Sequence, residues 1–423
     1  MVILLLIVFI AGYLAIAFEH PLRLNKAASA LITGVLCWTI YMVQAPTAGH
    51  TVTEELLHHL GEIASILFFL LGAMTIVELI DTHNGFDIIT RYISTTSKSK
   101  LLLLVTIITF FLSALLDNLT TAIVMASLCA KLLQSKEDKR WFCGVIVIAA
   151  NAGGAWSPLG DVTTTMLWIG GQITALNIMK QLLLPSLVVC AIPTLIVWLR
   201  FRGQKIEKVV IPDSSAEEKQ DGKIIMVSGI GFLIFVPVFK TVTHLPPFMG
   251  MLLALGLMWV ITTLLHKGKG PELAEKFNVA KALQKVDTPS ILFFLGILLA
   301  VSALQSAGLL REGATWLSDK LGNTYLIGSV LGLLSAVVDN VPLVAASQGM
   351  YDLQTYPTDH PFWEFLALTT GTGGSAVIIG SAAGVAVMGI EKIDFMWYLR
   401  NICWLALAGF GGGIAVFLLQ QQF

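Results

Sequence analysis

Charge is scarce in this sequence. Asp, Glu, Lys and Arg make up 13% of its 423 residues, 56% are hydrophobic and the mean hydropathy is +0.81. Soluble domains carry roughly 25% charged residues. A shortfall of this size, with repeated apolar runs, excludes a water-soluble globular chain and implies a polytopic helical membrane protein. Cysteine is also sparse: Cys37, Cys129, Cys143, Cys190 and Cys403 fall at irregular spacings with no C-x-x-C, which excludes a disulfide framework and leaves packing as their role. The N-terminus lacks a basic stretch and a small-residue cleavage site, and no Ser/Arg-rich transit segment precedes its apolar run. It reads as a retained first span of a bacterial inner-membrane protein. The net charge of −1 says little about partners; the bilayer is expected, nucleic acid and cofactors are not, and neither is enzymatic activity.

Apolar sequence comes in blocks. Ten read as full spans, at about 2–18, 24–45, 60–82, 141–170, 176–200, 223–241, 247–266, 287–307, 362–389 and 396–419. Two more, 101–134 and 325–350, carry an Asp-Asn pair near the middle, and each fits either one long span or a re-entrant hairpin. The positive-inside rule decides. With hairpins and both termini periplasmic, every Lys and Arg except Lys180, Lys240, Arg311 and Lys320 falls on the cytoplasmic side. The acidic segment Thr51–His59 and the segment Tyr351–Pro361 become outer loops, with His58 and His59 solvated. Segments 83–97 and 308–322 look like short interfacial helices, and Trp141, Trp397 and Tyr398 like parts of the interfacial aromatic belt.

The hairpins reveal a duplication. Leu112-Ser113-Ala114-Leu115-Leu116-Asp117-Asn118 reappears as Leu334-Ser335-Ala336-Val337-Val338-Asp339-Asn340, and Ser65 to Leu70 matches Ser290 to Leu295 letter for letter. Ala152-Gly153-Gly154 with Gly160 corresponds to Thr372-Gly373-Gly374 with Gly380. The fold class is therefore all-α, two repeats (1–201 and 223–423) joined by a cytoplasmic linker at 202–222. Each repeat holds five spans and one hairpin. Five is odd, so the second repeat is inverted relative to the first, an architecture of secondary transporters.

Four interruptions should meet at the midplane. They are Asp117-Asn118-Leu119-Thr120-Thr121, the stretch Asn151–Thr165, Asp339-Asn340, and Thr370–Ser381. Gly and Pro158 favour unwinding there. Exposed carbonyls, the hydroxyls of Ser157, Thr163, Thr164, Ser375 and Ser381, the amides of Asn118 and Asn151, and the carboxylates make an oxygen-rich cage suited to Na⁺ or Li⁺. Capping of half-helices is the competing role for Asp117, Asp161 and Asp339. Ser381 stands where Asp161 stands, so the site should be asymmetric, with the main Na⁺ ligands (Asp117, Asn118, Asp161, Thr163) in the first half. A buried carboxylate there could take a proton and a cation in competition, which suffices for antiport. Glu62, Glu78, Asp81 and His83, near the ends of the third span, are candidates for a proton path or for interfacial anchors.

The block Glu62–His83, with D-N-L-T-T at 117–121 and N-A-G-G-A-W-S-P-L-G-D-V-T-T-T at 151–165, resembles the NhaD-type sodium/proton antiporters of the ion transporter superfamily. The resemblance implies Na⁺ and Li⁺ exchange for protons. It places ion-site positions at Asp117, Asn118, Asn151, Asp161, Thr163, Thr164, Ser335 and Asn340, and implies a homodimer with an elevator-like transport domain on a static scaffold. Val377, Ile378 and Ile379 depart from a polar-rich second-half block, leaving Ser375 and Ser381 as its hydroxyl ligands. Within the superfamily the alternative is a dicarboxylate or arsenite carrier, but the interruptions hold no Lys or Arg to meet an anion. An intramembrane aspartyl protease would carry GxGD; Pro158-Leu159-Gly160-Asp161 lacks its first Gly.

Overall fold

The structure is a computed structural model that describes residues 2–17, 19–44, 49–86, 95–206, 216–267 and 277–422. It is all-helical apart from a single bridge, Ser97 to Lys205, which pins the start of the inter-repeat linker beside the first hairpin. Part of the expected interfacial helix at 83–97 lies outside the described residues, as does 207–215 of the linker.

The first half runs α1 (Val2–Ala17), α2 (Lys26–Gln44), α3 (Gly49–Thr82), α4 (Lys98–Leu116), α5 (Asn118–Leu132), α6 (Lys136–Ala155), α7 (Val162–Ile169) and α8 (Ala175–Phe201). The second runs α9 (Ala216–Thr243), α10 (Pro247–Leu265), α11 (Thr288–Ser306), α12 (Leu309–Leu321), α13 (Thr324–Leu334), α14 (Asn340–Met350), α15 (Pro361–Gly373), α16 (Ala382–Glu391), α17 (Phe395–Asn401) and α18 (Cys403–Gln420). The element order of the first half recurs in the second: three long helices, a helix pair parted at Asp-Asn, an interrupted helix, a closing span. Packing repeats too, with α1 against α2 matched by α9 against α10, and α4 against α6 matched by α13 against α15. Among the described residues, eight helices are long and apolar enough to cross a membrane. Their lipid-side surface is rich in exposed Leu, Ile, Val and Phe, such as Ile107, Phe111, Val242 and Leu264. The protein is thus a multi-pass membrane protein.

Four expectations need correction. Thr51–His59 is no loop: α3 runs unbroken from Gly49, because nothing between Gly49 and Thr82 stops a helix (Gly61 is tolerated and there is no Pro). His59 is accordingly not solvated. Its side chain is 13% exposed, facing Glu62 at 3.3 Å, Ser306 at 3.3 Å and the Trp38 ring. The last span, expected at 396–419, is two helices meeting at Ile402, although hydrogen bonds from Ile402 N to Tyr398 O and from Ala406 N to Ile402 O carry the helix through the bend. Finally, Tyr398 does not belong to an interfacial belt; it is fully buried beneath the second-half interruption.

Candidate ion-binding site

Each interruption starts a half-helix, and each half-helix start is capped by the polar residue that the sequence places there. Asp161, extended at φ −145° and ψ 146°, accepts from Thr163 N at 3.0 Å and opens α7. Ser381, at φ −143° and ψ 151°, accepts from Gly384 N at 3.2 Å and opens α16. Asp339 accepts from Val341 N at 3.2 Å and opens α14. Asp117 opens α5 and spends both oxygens on one residue, Oδ1 accepting from Thr120 N at 2.8 Å and Oδ2 from Thr120 Oγ1 at 2.9 Å. Its φ of 106° is a conformation L residues rarely adopt, strain on the order of 1–3 kcal/mol that these two bonds help hold.

The unwound segments lie against the hairpin tips with no room for a side chain. A Cβ on Gly160 would stand 2.5 Å from Ser113 O, and one on Gly380 would stand 2.5 Å from Ala336 O. The serine of each repeated Leu-Ser-Ala segment locks this contact: Ser113 Oγ donates to Ala150 O and Ser335 Oγ to Thr370 O, both at 2.6 Å. Within the first break, Thr164 Oγ1 donates to Ser157 O at 2.7 Å and Asp161 O at 2.9 Å, while Thr165 Oγ1 donates to Pro158 O at 2.8 Å. Ser157 Oγ accepts from Leu159 N at 3.3 Å. These hydroxyls replace helical bonds lost where the chain unwinds.

At the centre, side chains from both halves converge on Asp161, which is 1% exposed. Asn118 Nδ2 donates to Asp161 Oδ2 at 3.0 Å and to Asn151 Oδ1 at 3.1 Å. Asn340 Nδ2, from the second half, reaches the two Asp161 oxygens at 3.4 and 3.3 Å. Asn151 Nδ2 completes the chain by donating to Ser375 Oγ and Ser381 Oγ, each at 2.9 Å. Every amide hydrogen on Asn118 and Asn151 thus has an acceptor, as buried polar groups require. Asn118 and Asn340 both bond through their amide nitrogens, which leaves their carbonyl oxygens for a ligand, and the buried Thr121 hydroxyl has no hydrogen-bond partner among the described residues. A buried carboxylate and amide oxygens form a hard donor set. Asp161, Asn118 and Asn340 border a cavity of about 60 Å³ that also meets Asp117 and Asp339.

The structure therefore gathers Asn118, Asn151, Asp161, Asn340, Ser375 and Ser381 into one hydrogen-bonded network, with Thr163 bonded to Asp161 through its backbone. Asp117 and Asp339 line the same cavity. Thr120, Ser157, Thr164 and Ser335 serve the backbone or the Asp117 cap instead. The four flanking candidates are dispersed. Glu62 lines a separate cavity of about 390 Å³ with His59, Gln172 and Gln348. Glu78 pairs with Lys285 at 3.0 Å and, with Asp81, lines a vestibule of about 440 Å³ on the other side. His83 is buried, its Nε2 3.0 Å from that of His266 and its ring against Phe277. Glu62 and Asp81 stand 19 positions apart along α3, about 28 Å of helix, so these residues cannot form one cluster. Sequence reading missed Tyr398, whose hydroxyl donates to Ser375 O at 2.8 Å, and Lys26, which lines the central cavity. Only an aromatic-to-serine contact across 23 residues could have revealed the first.

Residues 5–371 match a family model described as citrate transporter. The chain is 49% identical to sodium/proton antiporter 1 of Arabidopsis thaliana, over 97% of its own length and 71% of that protein's. It is 44% identical to sodium/proton antiporter 2 of the same plant, over 99% of both chains. To the Na(+)/H(+) antiporter NhaD of Vibrio cholerae it is 31% identical, over 99% of this chain and 91% of that one. Among solved structures, the Alcanivorax borkumensis YdaH transporter matches with a TM-score of 0.62 at 12% identity, covering 94% of this chain and 98% of that one. That likeness shows a shared fold.

Proposed function

Since the chain belongs to the citrate transporter family and, within it, to the NhaD-type sodium/proton antiporters, we propose that it exchanges Na⁺, and Li⁺, for H⁺ across its membrane. The observation that carries the reading is Asp161: a buried carboxylate that receives amides from both halves of the molecule and faces a small cavity. Cation binding would use Asp161 with the free carbonyl oxygens of Asn118 and Asn340 and the Thr163 hydroxyl, and Asp117 would supply a second negative charge. A proton on Asp161 would cancel the attraction for the cation. The two then occupy the site in turn, which is all that antiport needs.

An anion such as citrate or a dicarboxylate fits less well. The central cavity is about 60 Å³, whereas small-molecule sites usually run to about 300–1,000 Å³, and Asp117, Asp161 and Asp339 all repel an anion. The site lies between two groups of helices: Phe69 and Met251 of α3 and α10 face the hairpin tips and the α7 start across the cavity. This division suits an elevator in which the hairpins and interrupted helices move against α2, α3, α10 and α11 as scaffold. We place the chain as a homodimer in a bacterial inner membrane with both termini periplasmic, which puts the Glu78–Lys285 vestibule on the cytoplasmic side and the Glu62 cavity outside.

Exchange in everted vesicles or proteoliposomes tests the function. Adding Na⁺ or Li⁺ should collapse a preformed ΔpH, with an apparent KM for Na⁺ that rises as pH falls because protons compete for the site. Absence of a response to any alkali cation, with citrate uptake in its place, would overturn the reading.

A further inference from the structure

The vestibule and the central cavity share five lining residues: Lys26, Met74, Leu119, Ser290 and Ala382. These five define a neck between the two spaces, and Lys26 is the only charged residue among them. Below the neck the vestibule is predominantly acidic, lined by Glu19, Glu78, Asp81 and Asp287. Above it stand Asp117, Asp161 and Asp339. The other lysine of the vestibule is committed, since Lys285 pairs with Glu78 and donates to Thr82 Oγ1 at 3.0 Å. Lys26 makes no ion pair with any described residue. Its ammonium lies 4.7 Å from the centroid of the Phe293 ring. The base of its side chain is fixed at the first residue of α2, where Lys26 N donates to Glu19 Oε2 at 3.3 Å.

A lysine placed between two sets of carboxylates and paired with neither calls for a physical reason. Acidic walls raise the local cation concentration and draw ions toward the site. A site that only attracts would hold its ion, and transport needs binding weak enough for release. A tethered positive charge at the entrance supplies that weakening. It spends part of the field of the central carboxylates, so a second cation in the cavity is bound less tightly. The four-carbon stem keeps the ammonium mobile over an aromatic face, a contact that is readily exchanged for a carboxylate.

We propose that Lys26 is a tethered cation at the neck, competing with Na⁺ for the central carboxylates and thereby setting the carrier's affinity for ions that enter through the vestibule. The proposal rests on the sodium/proton reading above and assigns Lys26 a role in affinity, not in the chemistry of the site. The test compares wild type, Lys26→Met and Lys26→Arg in proteoliposomes, reading KM for Na⁺ and Vmax separately at one pH. Equilibrium ²²Na⁺ binding to purified protein supplies a measurement that does not need turnover. Lys26→Met, which keeps the stem and removes the charge, should lower KM and the dissociation constant for Na⁺ about tenfold, while Lys26→Arg stays near wild type. Unchanged or weaker Na⁺ binding in Lys26→Met would overturn the proposal, as would Arg and Met variants that behave alike. A wild-type protein without any alkali-cation response overturns the antiporter reading itself; a normal wild-type response with an unmoved Lys26→Met constant overturns this assignment alone.

Discussion

The break before α7 and the break before α16 share a backbone and differ in charge. Asp161 and Ser381 have the same extended dihedrals to within about 5°, both cap the half-helix that follows, and both follow a glycine pressed onto a hairpin tip. Duplication therefore preserved a device for starting a helix inside the protein. Capping needs an acceptor and no charge, and Ser381 shows that a hydroxyl is enough. The carboxylate of Asp161 then requires another explanation, which its second oxygen provides: Oδ1 caps α7, while Oδ2 takes Asn118 and, with Oδ1, Asn340. The same comparison separates Asp161 from Asp117. Asp117 occupies both oxygens inside its own turn, so its charge reaches the cavity while its lone pairs are largely committed.

The sharpest way to break this comparison is Asp161→Asn. The amide still caps α7 and preserves the shape, but the charge is gone. Removing a charge that its surroundings are built to hold costs about 3 kcal/mol or more, so Na⁺-dependent ΔpH collapse should fall at least about a hundredfold. Any residual exchange should lose its dependence on pH. Ser381→Ala should retain exchange, and equal loss in the two variants would remove the asymmetry argued here. Asp117→Asn should fall between them, since asparagine can keep one of the two bonds to Thr120.

A smaller effect should part the two asparagines that serve Asp161. Asn118 binds at 3.0 Å and is itself tied to Asn151, whereas Asn340 binds at 3.3–3.4 Å. Hydrogen bonds to charged groups are worth about 1.5–3 kcal/mol. Asn118→Ala is expected to raise KM for Na⁺ by roughly tenfold or more, and Asn340→Ala by less. The reverse order would show that the second half, across the cavity, supplies the dominant ligand.

Much of this centre was legible in the sequence because it is local. Asp-Asn beside threonines, Gly pairs and Pro158 specify caps and unwinding from within a few residues, and all four breaks fall where that chemistry puts them. Contacts between halves were not legible. Asn340 to Asp161 and Asn151 to Ser375 and Ser381 depend on how two distant segments are brought together, which no periodicity encodes. Tyr398 shows a different limit. A position near a span end is an average tendency for aromatic residues, and one hydrogen bond to Ser375 O outweighs it. The N-terminal extension of α3 was missed because hydropathy measures where a helix leaves lipid, not where the helix stops.

The smallest expected effect concerns the serines of the repeated Leu-Ser-Ala segment, and it tests whether duplication at this level is structural. Ser113 and Ser335 make the same bond of 2.6 Å to a carbonyl of the neighbouring interrupted helix. Both are fully buried. Each loss removes a buried hydrogen bond and should cost about 0.5–1.5 kcal/mol, seen as a lower Tm in detergent, with KM for Na⁺ unchanged. Equal destabilisation by Ser113→Ala and Ser335→Ala would mean that the repeat conserves a clasp between hairpin and interrupted helix. The ion-site role that family resemblance gives Ser335 makes a different prediction, a rise in KM for Ser335→Ala alone. The KM of these two variants therefore decides whether the second half contributes a hydroxyl to the ion or only a frame around it.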